Sequence, residues 1–531
     1  MRWPGVAHLS PPSLTRHTAP PSFPAVLASV ATFTLDGISS REVTVEVDAR
    51  RGLPTFTLVG LADRAVRESR ERVRAALLNS GLDFPQQRLA ANLAPAHVHK
   101  HGASFDLAIA VGLLAATGQV PHERLASHAV CGELSLSGRL RPVRGALAFA
   151  VGARHAGYEH LIVPEENAEE AALVSEVEVL PVPDLARIVD LLRGEWAPLA
   201  PVAGRRVFQP PPPELELGEV RGHADAKRAL EIAAAGGHNL LMIGPPGAGK
   251  TMLARRLPAI LPPLSFEEAL EVTQIHSVAG LAPGGLVDRR PFRSPHHTVS
   301  AQGLVGGASP PRPGELTLAH RGVLFLDELA EFSRAALDSM RQPLEEGRVE
   351  IVRGQRSVCF PARAMLVAAC NDCPCGRPAA CSCSDLELSR YLRRLSGPLL
   401  DRIDLVCQIE AVPTVELVTG PDRSRGTSSA EVRDQVARAR RRQVDRLAST
   451  GAHCNADMDG SLTRRLVELS SDAAASLLGL SQGAALSGRG HDRVLRVART
   501  IADLAVREEV EARDVEEALG YRLSPFGRLA A

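Results

Sequence analysis

Leu240-Leu241-Met242-Ile243-Gly244-Pro245-Pro246-Gly247-Ala248-Gly249-Lys250-Thr251 is the stretch that decides the fold. Its first four residues are apolar and read as a short buried strand. The remaining residues fit G-x-x-x-x-G-K-[ST], a glycine-rich turn that hands the chain from a strand to a helix. Gly244, Pro245, Pro246, Gly247, Ala248 and Gly249 form a turn whose backbone amides converge on an anion, and the helix from Met252 adds the positive end of its dipole. The pattern predicts that Lys250 reaches the β- and γ-phosphates of ATP and that Thr251 ligates Mg²⁺.

A second apolar run, Val323-Leu324-Phe325-Leu326, ends in Asp327-Glu328. Ligands of open α/β sheets bind at the carboxyl ends of the strands. Both carboxylates are therefore expected beside the cradle, Asp327 holding Mg²⁺ and Glu328 serving as general base for the attacking water. A third run, Met365-Leu366-Val367-Ala368-Ala369, ends at Cys370-Asn371 and puts Asn371 where a polar side chain can orient that water. Farther on, Ser396-Gly397-Pro398-Leu399-Leu400-Asp401-Arg402-Ile403-Asp404 offers Arg402 as a finger for the γ-phosphate of a neighbouring subunit. Simple pairing with Asp401 or Asp404 is the competing reading. In Ser487-Gly488-Arg489-Gly490-His491-Asp492-Arg493, Arg493 is the choice for a second arginine touching the phosphates, with Arg489 as rival.

The 531 residues suggest about three domains. Hydrophobic residues make up 45%, charged residues 23%, and the net charge is +0. A polyanion must then be met by local patches or a channel, not by a global field. Lysine occurs only at Lys100, Lys227 and Lys250, so the one in the phosphate motif is not there by abundance. No run of about 20 apolar residues is present, which predicts no membrane span. Residues 1–25 lack an apolar leader and read as a disordered tail, so the chain is expected in the cytoplasm with reduced thiols.

Residues 26–200 read as one α+β domain, with Glu42-Val43-Thr44-Val45-Glu46-Val47 a half-buried strand by its alternation. Residues 201–216 hold Pro210-Pro211-Pro212-Pro213, which can continue neither a helix nor a central strand and reads as a linker. Residues 217–412 form the nucleotide-binding α/β domain. Residues 413–531 show helical periodicity at 431–447, 473–480, 492–508 and 512–519, a bundle-like lid.

The run Gly314-Glu315-Leu316-Thr317-Leu318-Ala319-His320-Arg321-Gly322, continuing into the strand that ends at Glu328, resembles the magnesium-chelatase-like AAA+ ATPases. Pro291-Phe292-Arg293-Ser294-Pro295-His296-His297-Thr298 and residues 396–404 narrow the resemblance to the competence-protein ComM (YifB) type. It covers nearly everything from Val26 to Phe526 and implies a hexameric ring ATPase, in a family whose members act as DNA helicases promoting branch migration during integration of transforming DNA. Lys100-His101-Gly102-Ala103-Ser104 and residues 132–139 are similar to segments of Lon-type proteases. Such proteases use a Ser-Lys dyad because serine needs a base to become a nucleophile. The match places Leu147 at the lysine position, and Phe105-Asp106 replaces a small pair, so the implied domain is Lon-like in fold and inactive as a protease.

Two insertions carry the expectation of DNA, single-stranded or branched, as partner. Residues 277–307, rich in Gly, Pro, His and Arg, read as a long β-hairpin. Residues 349–358 read as a second hairpin with Arg353-Gly354-Gln355-Arg356 at its turn, where Arg353 and Arg356 can contact phosphates. Cys373, Cys375, Cys381 and Cys383 form a C-x-C…C-x-C quartet that suits Zn²⁺, with unliganded reduced thiols the other reading. The leading function is an ATP-driven motor on DNA. The alternative is a chelatase-type ATPase that remodels a protein partner.

Overall fold

The run at 240–243 is a strand, Leu240–Ile243, in a five-stranded sheet ordered Phe292–Arg293, Val323–Leu326, Met365–Cys370, Leu240–Ile243, Leu405–Gln408. Every neighbouring pair is parallel. The computed structural model describes residues 27–60, 63–100, 102–198, 215–281, 285–308, 311–353, 356–376, 381–395, 397–412, 428–484 and 487–522. The expected tail at 1–25 and most of the proline linker lie outside the described residues.

Alternation along these strands sends side chains to two faces. Leu240, Met242, Val323, Phe325, Val367 and Ala369 enter one core with helix Ala224–Gly236 and the C-terminal helices, through Val432, Val436, Val494, Ile501 and Val515. Leu241, Ile243, Leu324, Leu326, Leu366 and Ala368 enter the other with Leu337, Met340, Val349 and Phe360. Both faces are covered, which is why these strands read as unbroken apolar runs.

The C-terminal helices are Ser429–Leu447, Gly460–Leu466, Ser471–Ala484, Gly488–Leu504 and Ala512–Gly520. Ser428 and Glu431 close a capping box on the first. The N-terminal part is a seven-stranded mixed sheet in the order 55–59, 88–94, 39–50, 27–36, 128–130, 160–164, 178–182. Val43, Val45 and Val47 point to its core as the alternation predicts. The fold is α/β, a parallel sheet with a helical lid, preceded by an α+β part built on the seven-stranded sheet.

One insertion departs from expectation. Residues 277–307 do not form a long hairpin. Helix Phe266–Ala279 runs into the segment, Phe292–Arg293 joins the central sheet in parallel, and Ala301–Val305 is helical. Gly306–Gly307 then pairs with Arg312–Pro313 in a short antiparallel ladder. Glycine, proline and histidine announced breaks in regular structure, and a two-residue edge strand is too short to show periodicity. The other insertion is a hairpin, with Arg348–Arg353 antiparallel to Arg356–Pro361 and Arg353 opposite Arg356.

Candidate nucleotide site

Gly244 leaves the strand where a Cβ would stand 2.1 Å from the Ile409 carbonyl oxygen, so no other residue fits there. Gly247 and Gly249 have φ of 79° and 89°, a region that L side chains rarely adopt. Helix Lys250–Ala254 follows at once. The Lys250 ammonium donates to the carbonyls of Gly244 at 2.7 Å and Pro245 at 2.9 Å and to Asn371 Oδ1 at 3.1 Å. Burial lowers its pKa, while negative groups nearby, Asp327, Asp372 and Glu328 among them, oppose the shift.

Thr251 Oγ1 donates to Asp327 Oδ2 at 2.6 Å. A hydroxyl and a carboxylate side by side at the mouth of an anion cradle are the oxygen ligands that a hard cation such as Mg²⁺ takes. Glu328 adopts φ 52°, rare for a side chain of its size, and its amide donates to Asp327 Oδ1 at 3.0 Å. Its Oε2 lies 3.3 Å from His297 Nδ1. The structure thus brings Lys250, Thr251, Asp327, Glu328 and Asn371 together at the carboxyl edge of three neighbouring strands.

Arg402 and Arg493 lie elsewhere. Arg402 forms an ion pair with Glu345, a partner the sequence did not suggest. Arg493 is 3% exposed, and its Nη1 donates to the Ile403 carbonyl at 3.4 Å. Ile403 precedes strand Leu405–Gln408, whose far end pairs with Ile243 beside the cradle. Four residues at about 3.3 Å each separate the two edges by roughly 13 Å. Arg493 therefore stands away from the phosphate loop of its own chain. Arg402, Arg489 and Arg493 share an open cleft of about 1240 Å³ at the opposite edge of the sheet.

Sequence reading missed His297 as a neighbour of Glu328. It also missed the supports of Asn371, whose carbonyl accepts from Tyr391 Oη at 3.1 Å, and the bond from Gln408 Nε2 to Asp372 at 2.7 Å. The paired histidines were visible in the motif at 291–298, but nothing in the chain names the carboxylate they face. The quartet sulfurs of Cys373, Cys375, Cys381 and Cys383 converge, all within 4.8 Å of one another. In the N-terminal domain, Leu147 is fully buried and its amide donates to Glu170 at 2.9 Å. Lys100 is buried too, and its ammonium bonds the Pro95 carbonyl at 2.5 Å.

A glycine-rich turn with Lys250 at its mouth, the Thr251–Asp327 pair and the Glu328 carboxylate at the carboxyl edge of a parallel sheet have the layout of an ATPase of the AAA+ class. The family model of magnesium chelatase, subunit ChlI, matches residues 216–417, that of subunit ChlI of Mg-chelatase matches residues 45–167, and that of the ChlI C-terminal region matches residues 426–522. An uncharacterised protein of Mycobacterium tuberculosis is 45% identical over 493 residues, 92% of this chain and 96% of its own. YifB of Escherichia coli is 42% identical over 494 residues, 92% of this chain and 95% of its own. The competence protein ComM of Haemophilus influenzae is 42% identical over 495 residues, with the same coverage. A Lon protease of Chloroflexus aurantiacus is 31% identical over 162 residues, 28% of this chain and 19% of its own. The chain belongs to the magnesium-chelatase-like AAA+ family, in its ComM and YifB branch.

Proposed function

We propose that this chain is an ATP-hydrolysing motor that assembles as a homo-hexameric ring in the cytoplasm and drives strand exchange on single-stranded or branched DNA. The single observation that carries the reading is the split site. Lys250, Thr251, Asp327, Glu328 and Asn371 gather at one edge of the sheet, while Arg402 lines an open cleft at the other, with Arg493 buried in its wall. A neighbouring copy that docks its cradle into that cleft completes both halves, and repetition of the contact closes a ring.

Within the cradle, the loop amides and Lys250 hold the β- and γ-phosphates. Thr251 and Asp327 would hold Mg²⁺, which would supply positive charge against the phosphates. Glu328 takes a proton from the attacking water, and Asn371 orients it. Arg402 and Arg493 from the next copy stabilise charge on the transferring group. Zn²⁺ in the sulfur quartet belongs to the same reading as a structural ion. Leu147 at the place of a catalytic lysine supports an N-terminal domain without protease activity.

The hairpin whose turn is flanked by Arg353 and Arg356 supports DNA as substrate, since basic residues repeated around a ring suit a phosphate backbone. The name of the competence relative points the same way. The test is ATP hydrolysis alone and with single-stranded, duplex and four-way-junction DNA. Strong stimulation by DNA, lost in Arg353→Ala, supports the motor. A rate indifferent to every DNA sinks it and favours a chelatase-type ATPase that remodels a protein partner.

A further inference from the structure

The cysteine quartet sits against the nucleotide site, and its place there gives it a role. The Cys375–Cys381 and Cys381–Cys373 sulfur separations are both 3.7 Å, and Cys373–Cys375 is 3.2 Å. Four thiolates bound to one Zn²⁺ at about 2.3 Å stand about 3.8 Å apart at the corners of a tetrahedron. Sulfurs this close leave room for one ion and none for an iron–sulfur cluster. Among the described residues no other group of three or more potential ligands converges in this way.

The quartet is also tied to the catalytic side chains. Cys373 lies two residues beyond Asn371, the acceptor of the Lys250 ammonium. Gly376 bonds back to the Cys373 carbonyl at 3.2 Å. A Cβ at Gly376 would come within 2.8 Å of Pro246 Cγ, so this turn rests directly on the phosphate loop. Two residues past Cys383, helix Asp385–Arg394 begins, and its Tyr391 holds the Asn371 carbonyl.

We propose that Cys373, Cys375, Cys381 and Cys383 bind one Zn²⁺ and that this metal is a positioning centre for nucleotide turnover. It locks the turn after Asn371 onto Pro246 and so fixes the Asn371 amide between Lys250 and the water it orients. The role rests on the ATPase reading, while metal binding stands apart from it. The ion takes no part in the chemistry. It replaces the apolar packing that a solvent-facing loop cannot supply.

Full-length protein is analysed for bound metal by mass spectrometry and reloaded with Co²⁺. The expected result is one Zn²⁺ per chain and, with Co²⁺, the intense absorption of tetrahedral thiolate coordination. Cys381→Ser/Cys383→Ser should lose the metal and lower kcat about 10- to 100-fold, with a smaller change in the KM for ATP. Cys373→His alone keeps four ligands of a kind zinc accepts and should retain both metal and rate, which separates positioning from misfolding. Asn371→Ala should slow the wild-type background strongly and add little in the metal-free one, because the metal acts through that residue.

Absence of stoichiometric metal and of the cobalt signature overturns the site. Metal loss without a change in kcat, or additive effects of the cysteine and Asn371 substitutions, overturns the positioning role. A zinc-loaded wild-type protein with no ATP hydrolysis refutes the ATPase reading and the positioning role together, and leaves the metal site standing.

Discussion

Glu328, the proposed base, is held in a backbone conformation that most residues avoid, with φ 52°. Its acid group faces His297, 3.3 Å away. Glu328→Gln keeps the shape and removes the base, so ATP should bind while hydrolysis falls about 10²- to 10⁴-fold, as single-turnover kinetics would record. His297 engages the carboxylate that must meet water. An ion pair between partly exposed groups is worth at most about 1 kcal/mol, so His297→Ala should raise DNA-free turnover by up to about fivefold. A fall in that rate would instead make His297 an orienting partner. The cradle residues were legible because the phosphate motif fixes both identity and spacing. His297 was not, because its contact crosses from the edge strand to the next one, and spacing along the chain does not encode that distance. Arg402 was half legible. It precedes a strand that runs parallel to the phosphate-loop strand, so it had to stand at the amino edge, whereas the reach of Arg493 depended on how the lid helix docks.

Elements dictate where the sheet and lid join. His238 ends the turn before strand Leu240–Ile243, is fully buried, and shares its Nε2 with Thr500 of helix Gly488–Leu504 at 2.8 Å. Burial lowers its pKa below the ordinary 6.5, and Asp404 opposes the shift only in part. The unfolded chain therefore takes up a proton first as pH falls. The stability that neutral His238 contributes is present above pH 6.5 and is lost as the pH drops from there toward the folded value. Urea midpoints should decline from pH 7.5 to 5.5, less steeply in His238→Gln, which can still bond Thr500. An equal decline in the variant would remove His238 from the account. Strands and lid helices were readable from unbroken apolar runs and a 3.6-residue period. The segment at 277–307 was not, because its regular pieces are two to five residues long and its turn residues outnumber them.

Across the whole molecule, the two halves interlock through a few polar and apolar points. Leu270 of the ATPase part packs with the N-terminal core, and Ile38 of the N-terminal part packs with the ATPase core. Gln274 donates to the Ile38 carbonyl at 2.8 Å. Buried Glu170 accepts from Leu147 in its own domain and from Ser277 across the boundary. Burial raises its pKa, so the carboxylate form is the costly one and stability declines as pH rises through the folded value. Glu170→Gln keeps an acceptor for both donors and should raise the melting temperature at pH 8, with less effect at pH 5. No gain at pH 8 would mean that the charge is already well solvated. The docking of the two sheets rests on side chains far apart in sequence, which spacing along the chain does not encode.

The separation of the phosphate loop from Arg402 by the width of a sheet has a genetic consequence. In a ring, a copy with Lys250→Ala has lost its own catalytic pocket but still lends arginines to the next copy. A copy with Arg402→Ala keeps a sound pocket and fails its neighbour. Each allele alone should be inactive, yet a cell that expresses both should recover part of the activity, because some junctions pair the intact half of one with the intact half of the other. Two defects on the same allele should leave no such junction with a partner of their own kind, and no recovery when expressed alone.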